Sequence, residues 1–240
     1  ELFQNSVNVL EEISHLGKEY VLLTNAPRPN SDVRSFLSTM GLMEEINSNV
    51  YTSGEAALNY LSKNYNDKKF YHIGPPRDFS LFNTFKKNKL NNIDTADFLL
   101  CTGLFDDPDN ELLYYQNLFE NHINKIMICT NPDLIVDRGE SREYCAGSVA
   151  KVFEDIGGKV EYFGKPYSNV YNLAAKTRNK KVLCVGDNLN TDIRGANFQN
   201  FDSLLISEGI HRKEIKNENK ENLFKKYKVK VDFIQSKLKW

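Results

Sequence analysis

The chain has 240 residues, a formal net charge of −1, 40% hydrophobic and 26% charged side chains. That length supports one large domain or two small ones with a substantial core, and the near-neutral charge argues against a dedicated nucleic-acid surface. No apolar run is long enough to cross a bilayer and no signal-peptide pattern opens the chain, so the sequence reads as soluble and cytoplasmic, with neither nucleic acid nor membrane as partner. Cys101, Cys129, Cys145 and Cys184 lack CxxC spacing, and three of them lie in apolar strand-like runs. They read as buried reduced thiols, with no zinc site.

Phe3, Val7, Leu10, Ile13 and Leu16 recur at helical spacing and Gly17 is placed to cap that helix. Glu19–Thr24 then reads as a buried parallel strand closed by Asn25-Ala26-Pro27-Arg28-Pro29. A helix ahead of a parallel strand normally follows another strand. The expectation is therefore that the native protein continues upstream of Glu1.

Ser31 is a plausible N-cap for a helix carrying Val33, Phe36, Leu37 and Met40, closed by Gly41, and Ser53 for another running to about Tyr65. Strands are predicted at 69–73, 98–102 and 126–130, with helical patterns around 78–87 and 110–122. This stretch reads as a self-contained α/β layer bounded by polar flanks near Asn64–Asp67 and Gly157-Gly158-Lys159. The resulting division is a first core part at 1–66, an inserted layer at 67–159 and a second core part at 160–240. A helix over 150–156 precedes Val160-Glu161-Tyr162-Phe163-Gly164-Lys165-Pro166, a strand that delivers a lysine into a turn. Next come a helix with Val170, Leu173, Ala174 and Ala175 on its apolar side, a strand at 181–186, a last clear strand at 203–206, and a lysine-rich tail expected to pack only in part.

Val182-Leu183-Cys184-Val185-Gly186-Asp187 ends an apolar run abruptly in Gly-Asp, and Asp192 follows before a small-residue helical pattern. Asp187 is thereby expected at the carboxyl end of a strand, where open α/β sheets place ligands. Asp187 and Asp192 on one short loop can approach a hard cation such as Mg²⁺, which takes one or two carboxylates plus substrate phosphate. Thr24-Asn25 and Lys165 also stand at strand ends. A hydroxyl and an amide for phosphate oxygens, a lysine for charge and carboxylates for a metal form a coherent set for phosphoryl transfer.

Four stretches in order, Val21-Leu22-Leu23-Thr24-Asn25, Cys129-Thr130-Asn131-Pro132-Asp133, Gly164-Lys165-Pro166 and Gly186-Asp187-Asn188-Leu189-Asn190-Thr191-Asp192-Ile193, resemble the motifs of the haloacid dehalogenase superfamily, subclass IIA. That group comprises NagD-like, pyridoxal-phosphate and phosphoglycolate phosphatases. The resemblance implies an α/β fold: a Rossmann-like core with an inserted α/β cap. It further implies a Mg²⁺-dependent phosphatase of small phosphorylated metabolites, working through an aspartyl-phosphate. Thr24 and Asn25 would bind the transferring phosphate, Lys165 would steady it and the nucleophile, Asp187 would ligate the metal, and Asp192 would support the metal or Lys165. The cap loop 131–139 would help choose the substrate through Asn131, Pro132 and Asp133, with Arg138 for a second anionic group, and the cap could also carry a homo-oligomer contact.

Two departures stand out. Asn188 occupies a place where many relatives carry arginine, and the family's first motif, a strand ending in an acidic pair, is missing. The acidic cluster Asp106-Asp107-Pro108-Asp109 reads as a solvated loop instead of that motif. The nucleophilic aspartate is accordingly expected before Glu1, and these residues alone are expected not to turn over substrate. The rival readings are a non-catalytic phosphate-ester or metal-binding protein of the same fold, and an interaction protein using the aromatic helix Leu112–Phe119.

Overall fold

The first helix, α1 (Gln4–His15), ends as its glycine foretells. The Gly17 and Lys18 amides donate to the Ser14 and Ile13 carbonyls, a Schellman turn in which Gly17 takes φ +63°. β1 (Leu22–Thr24), α2 (Asn30–Thr39), α3 (Glu44–Asn47), β2 (Val50–Thr52) and α4 (Ser53–Asn64) follow. The next elements are β3 (Phe70–Ile73), a 3-10 stretch (Pro76–Asn88), β4 (Lys89–Leu90), β5 (Phe98–Cys101), α5 (Leu112–Phe119) and β6 (Ile126–Cys129). A hairpin, β7 (Ile135–Arg138) and β8 (Ser141–Tyr144), leads to α6 (Ala146–Asp155), β9 (Lys159–Tyr162) and α7 (Ser168–Ala174). The chain closes with β10 (Leu183–Gly186), a π turn (Leu189–Ile193), α8 (Arg194–Gln199), β11 (Asp202–Ile206), α9 (Arg212–Asn217), α10 (Lys220–Tyr227) and β12 (Phe233–Gln235). The structure, a computed structural model, describes residues 2–106, 112–138, 141–174 and 180–240; for Ser80, Asp137, Arg138, Ser141 and Arg142 it describes the backbone.

The α/β architecture with parallel sheets is as the sequence implies, and the chain divides into two compact units. One comprises residues 1–22, 34–50 and 165–240; the other, 23–33 and 51–164. The span 67–159 lies inside the second unit, and the division passes through the short β1–β2 pair.

The second unit is built on a five-stranded, all-parallel sheet in the order β4-β3-β5-β6-β9. The chain leaves β3 for the edge strand β4 and returns to the other side of β3 with β5, which makes this a doubly wound sheet. All four residues of β5 are buried, as expected for a parallel strand covered on both faces. Ile73, Leu99, Cys101, Tyr115, Phe119, Met127, Val149 and Phe153 form one core between this sheet and helices α5 and α6. Each large side chain so buried contributes roughly 1.5–3 kcal/mol.

The first unit holds a three-stranded parallel sheet, β10-β11-β12. Leu189, Ile193, Leu205 and Leu223 form its core, with Ile215, Phe224, Tyr227, Val229 and Val231 packed around them. The lysine-rich tail is thus more ordered than its composition suggests. It supplies α10 and the third strand of this sheet, where the sequence leads one to expect only partial packing.

Several local readings change. Ser31 is inside α2, which begins at Asn30, so it is not the N-cap. Thr52, not Ser53, caps α4 by accepting the Glu55 amide. The loop expected at 131–139 is a hairpin from Ile135 onward, although Gly139 lies outside the described residues, as do Asp107, Pro108, Asp109 and Ala175. The four cysteines are free; Cys101, Cys129 and Cys145 are buried and Cys184 is partly so.

Candidate functional site

In the first unit, β10 ends in Gly186 and the chain turns through Asp187 and Asn188 into the π turn. The Asn188 side chain accepts the Asn190 amide at 2.9 Å, which sets the turn. Asp192, only 8% exposed, folds back under the strand tip. Its Oδ2 accepts the amides of Asp187 and Asn188, each at 3.1 Å, and its Oδ1 receives Lys165 Nζ at 2.7 Å. Gly186 is required here by close approach, because a Cβ on it would overlap the Asp192 carboxylate.

The Lys165 and Asp192 side chains are 18% and 9% exposed, so their ion pair is shielded from water. Asp187 is held from its other side, its Oδ2 accepting the Ile210 amide at 3.0 Å. Gly209 abuts it so closely that a Cβ would overlap the Asp187 carboxylate. Among the described residues Asp187 Oδ1 makes no hydrogen bond or ion pair. Beneath them, burial first and the Asp192 charge second push the Cys184 thiol up to about 11, leaving it protonated and inert at neutral pH.

Among the described residues no group of three or more His, Cys, Asp or Glu side chains could hold a metal. Mg²⁺ does not demand one, since it binds through one or two protein carboxylates and keeps waters and substrate oxygens for the rest. Asp187, half-buried and with one oxygen uncommitted, fits that donor chemistry. Asp192 has both oxygens engaged by Lys165 and by backbone amides.

In the second unit, Thr24 closes β1 and its Oγ1 accepts the Ala26 amide at 3.2 Å. Asn25 is 6% exposed and its Nδ2 donates to Asp133 Oδ1 at 3.0 Å. Asn131 Oδ1 accepts the Asp133 amide at 3.0 Å, and the Asp133 carbonyl accepts the Gly147 amide at 3.1 Å. Pro132 lies against Gly164, whose φ of +129° and lack of a Cβ let the chain pass. Ser53 Oγ stands 2.6 Å from the Thr130 carbonyl and 3.0 Å from that of Ala26, tying the residues after Thr24 to the end of β6.

The structure therefore brings Lys165, Asp187 and Asp192 together in one unit, and Asn25, Asn131, Pro132 and Asp133 together in the other, with Thr24 next to Asn25. Arg138 ends β7, and its side chain lies outside the described residues. Sequence reasoning read Ser53 only as a helix cap, and it missed Gly147 and the pair formed by Arg28 and Asp78 at 3.3 Å. Asp78 is buried, and that burial raises its pKa against the opposing pull of Arg28. The one available signal was Ser53 directly after a better-placed capping threonine, which left its hydroxyl free for another task.

Parallel α/β sheets, with a strand tip bearing a shielded lysine–aspartate pair beside a second aspartate, place the chain among α/β proteins of Rossmann-like architecture. The comparisons agree. The Haloacid dehalogenase-like hydrolase family matches residues 1–85 and a HAD-hydrolase-like family matches 162–229. A haloacid dehalogenase-like hydrolase from Brucella suis 1330 is 30% identical, superposes with a TM-score of 0.77 and is covered over 80% of its length by 87% of this chain. The chain belongs to the haloacid dehalogenase-like hydrolase family. Ribonucleotide monophosphatase NagD of Escherichia coli K12 is 26% identical over 206 residues, 84% of this chain and 79% of that protein. The p-nitrophenyl phosphatase of Archaeoglobus fulgidus shares the fold at 16% identity, with a TM-score of 0.75 over 98% of this chain and 90% of its own.

Proposed function

We propose that the protein is a Mg²⁺-dependent phosphatase of small phosphate monoesters, acting in the cytoplasm through an aspartyl-phosphate. The observation that carries this reading is the strand tip where Lys165 is locked to Asp192 while Asp187 keeps one oxygen uncommitted. Phosphoryl transfer needs little from a protein beyond positioning and stabilisation of charge. Lys165, oriented by Asp192, offers its ammonium to the transferring phosphate and to the attacking carboxylate. Asp187 would hold Mg²⁺, which would supply positive charge to the phosphate oxygens. Asp192 supports that site from behind by fixing the Asp187 and Asn188 amides.

Thr24 and Asn25 grip phosphate oxygens, and the span 67–159 serves as a cap. Its loop helps choose the substrate, with Asn131, Pro132 and Asp133 at its base and Arg138 offered to a second anionic group. The attacking group of this route is an aspartate carboxylate. It displaces the alcohol from phosphorus, and water then cleaves the acyl phosphate, returning the carboxylate and releasing phosphate.

The E. coli relative makes ribonucleotide monophosphates the first esters to try. Phosphate release from a panel of monoesters with Mg²⁺, using the full-length gene product and its Asp187→Asn variant, tests the reading. A loss of at least about 100-fold in the variant is expected. Equal release by both proteins removes Asp187 from its role as metal ligand, and phosphate binding without release favours a non-catalytic module.

A further inference from the structure

We propose that His211 is a positioning residue for the Asp187 carboxylate, acting through the Ile210 amide. The proposal rests on the reading of Asp187 as a Mg²⁺ ligand. The two oxygens of a carboxylate are chemically alike, so which one faces an ion is decided by what holds the other. Here that hold is one backbone hydrogen bond, from the Ile210 amide to Asp187 Oδ2 at 3.0 Å. The aim of Asp187 therefore depends on where that amide stands.

The segment carrying Ile210 is tied down on both sides of it. Directly after β11 the Ser207 and Glu208 amides donate to the Gln235 and Ser236 carbonyls at 2.8 and 3.1 Å. Gly209, bare of a side chain because Asp187 lies against it, gives the segment nothing to pack with, and Ile210 is only partly buried. The anchor on the far side is His211, which is 6% exposed. Its Nδ1 donates to Glu214 Oε2 at 2.6 Å, and its ring meets that of Tyr227 edge-on with centroids 4.8 Å apart. Glu214 is fixed in turn, with the Tyr227 hydroxyl 3.0 Å from both of its oxygens and Lys226 Nζ 3.1 Å from Oε1. Tyr227 and Lys226 belong to α10, whose Leu223 sits in the core of this unit. A continuous set of contacts thus runs from that core to Asp187, and all of it lies within the first unit. His211 Nε2 is buried with no hydrogen-bond partner among the described residues, which is unfavourable for a polar atom. A residue chosen only to fill the space would be apolar; the imidazole is accounted for by what its other nitrogen does.

The test is Mn²⁺ binding to the full-length protein without substrate, followed by electron paramagnetic resonance, with melting temperature as the control for folding. Mn²⁺ shares the oxygen ligands and octahedral geometry of Mg²⁺. His211→Phe keeps a ring against Tyr227 and removes the donor to Glu214, so Mn²⁺ affinity is expected to fall about tenfold, as when a partner that orients a metal ligand is lost. His211→Asn restores an N–H near the place of Nδ1 and is expected to recover most of that affinity, even where the lost ring packing lowers the melting temperature. Glu214→Ala is expected to weaken binding as much as His211→Phe, with the double variant no worse than either, and it carries the comparison if His211→Phe does not fold. Affinity of wild-type strength in both His211→Phe and Glu214→Ala, or an affinity that follows melting temperature and not the donor across the variants, overturns the positioning role. Asp187→Asn separates this from the reading beneath it. Wild-type Mn²⁺ affinity in that variant removes Asp187 from the metal, whereas a loss there beside intact binding in His211→Phe and Glu214→Ala overturns the role of His211 alone.

Discussion

Strands β5 and β10 read alike in sequence, Phe-Leu-Leu-Cys against Leu-Cys-Val-Gly, yet they meet different surroundings. β5 is buried at every residue and flanked by β3 and β6. β10 has β11 on one side, and Leu183 and Val185 are half exposed. An apolar run therefore announces a strand but not how many neighbours cover it. In the five-stranded sheet the run builds the core; in the three-stranded sheet its consequence lies at the tip, where Gly186 admits the Asp192 carboxylate under Asp187.

The sharpest way to break this contrast is at that tip. Asp192→Ala removes a shielded ion-pair partner of Lys165 and the acceptor of two backbone amides, so urea denaturation should register a loss of about 3–5 kcal/mol in the first unit. A loss below about 1 kcal/mol would mean that the lysine finds water and that the pair is not shielded. In the five-stranded sheet, Leu99→Ala removes a side chain with no exposure and is expected to cost about 2–5 kcal/mol by the same measurement. Leu183→Ser on β10 should change stability by less than about 0.5 kcal/mol in the residues described. A cost for Leu183→Ser equal to that of Leu99→Ala would show that something covers β10.

Between these effects lies a dependence on pH. Burial pushes the His72 imidazole down to about 4, with the nearby Lys89 charge acting in the same direction. Because the unfolded chain takes up this proton near pH 6.5 and the folded one does not, the stability it contributes is complete above pH 6.5. That stability drains away as pH falls toward 4, reaching about 3 kcal/mol. His72→Gln keeps a polar side chain near Thr102, which His72 Nε2 meets at 2.8 Å, and should flatten that part of the stability profile. An unchanged slope would assign the acid sensitivity to other groups.

Much of the sheet was legible because β3, β5, β6 and β10 are short apolar runs bounded by Gly, Asn or Asp. β2, β12 and the β7–β8 hairpin were not, being three or four residues long, with charged residues such as Asp137, Arg142 and Glu143 in the hairpin. Local periodicity cannot register a strand whose identity depends on its neighbour. The site was legible as a set of residue types at strand ends. What joins them was not: Lys165 and Asp192 are 27 residues apart, Asn25 and Asp133 are 108 apart, and only folding decides which oxygen meets which nitrogen. The resemblance already gave Asp187 the metal and Asp192 a supporting role; the backbone amides and the lysine on Asp192 give that difference a physical basis.

The division of labour between those two carboxylates is tested most directly by a crystal structure of the full-length protein grown with Mg²⁺ and inorganic phosphate. The metal is expected on Asp187 Oδ1, with Lys165 Nζ still on Asp192 and within hydrogen-bond reach of the phosphate. A metal bound away from Asp187, or a phosphate that leaves Lys165 untouched, would contradict the phosphatase site proposed for this strand tip.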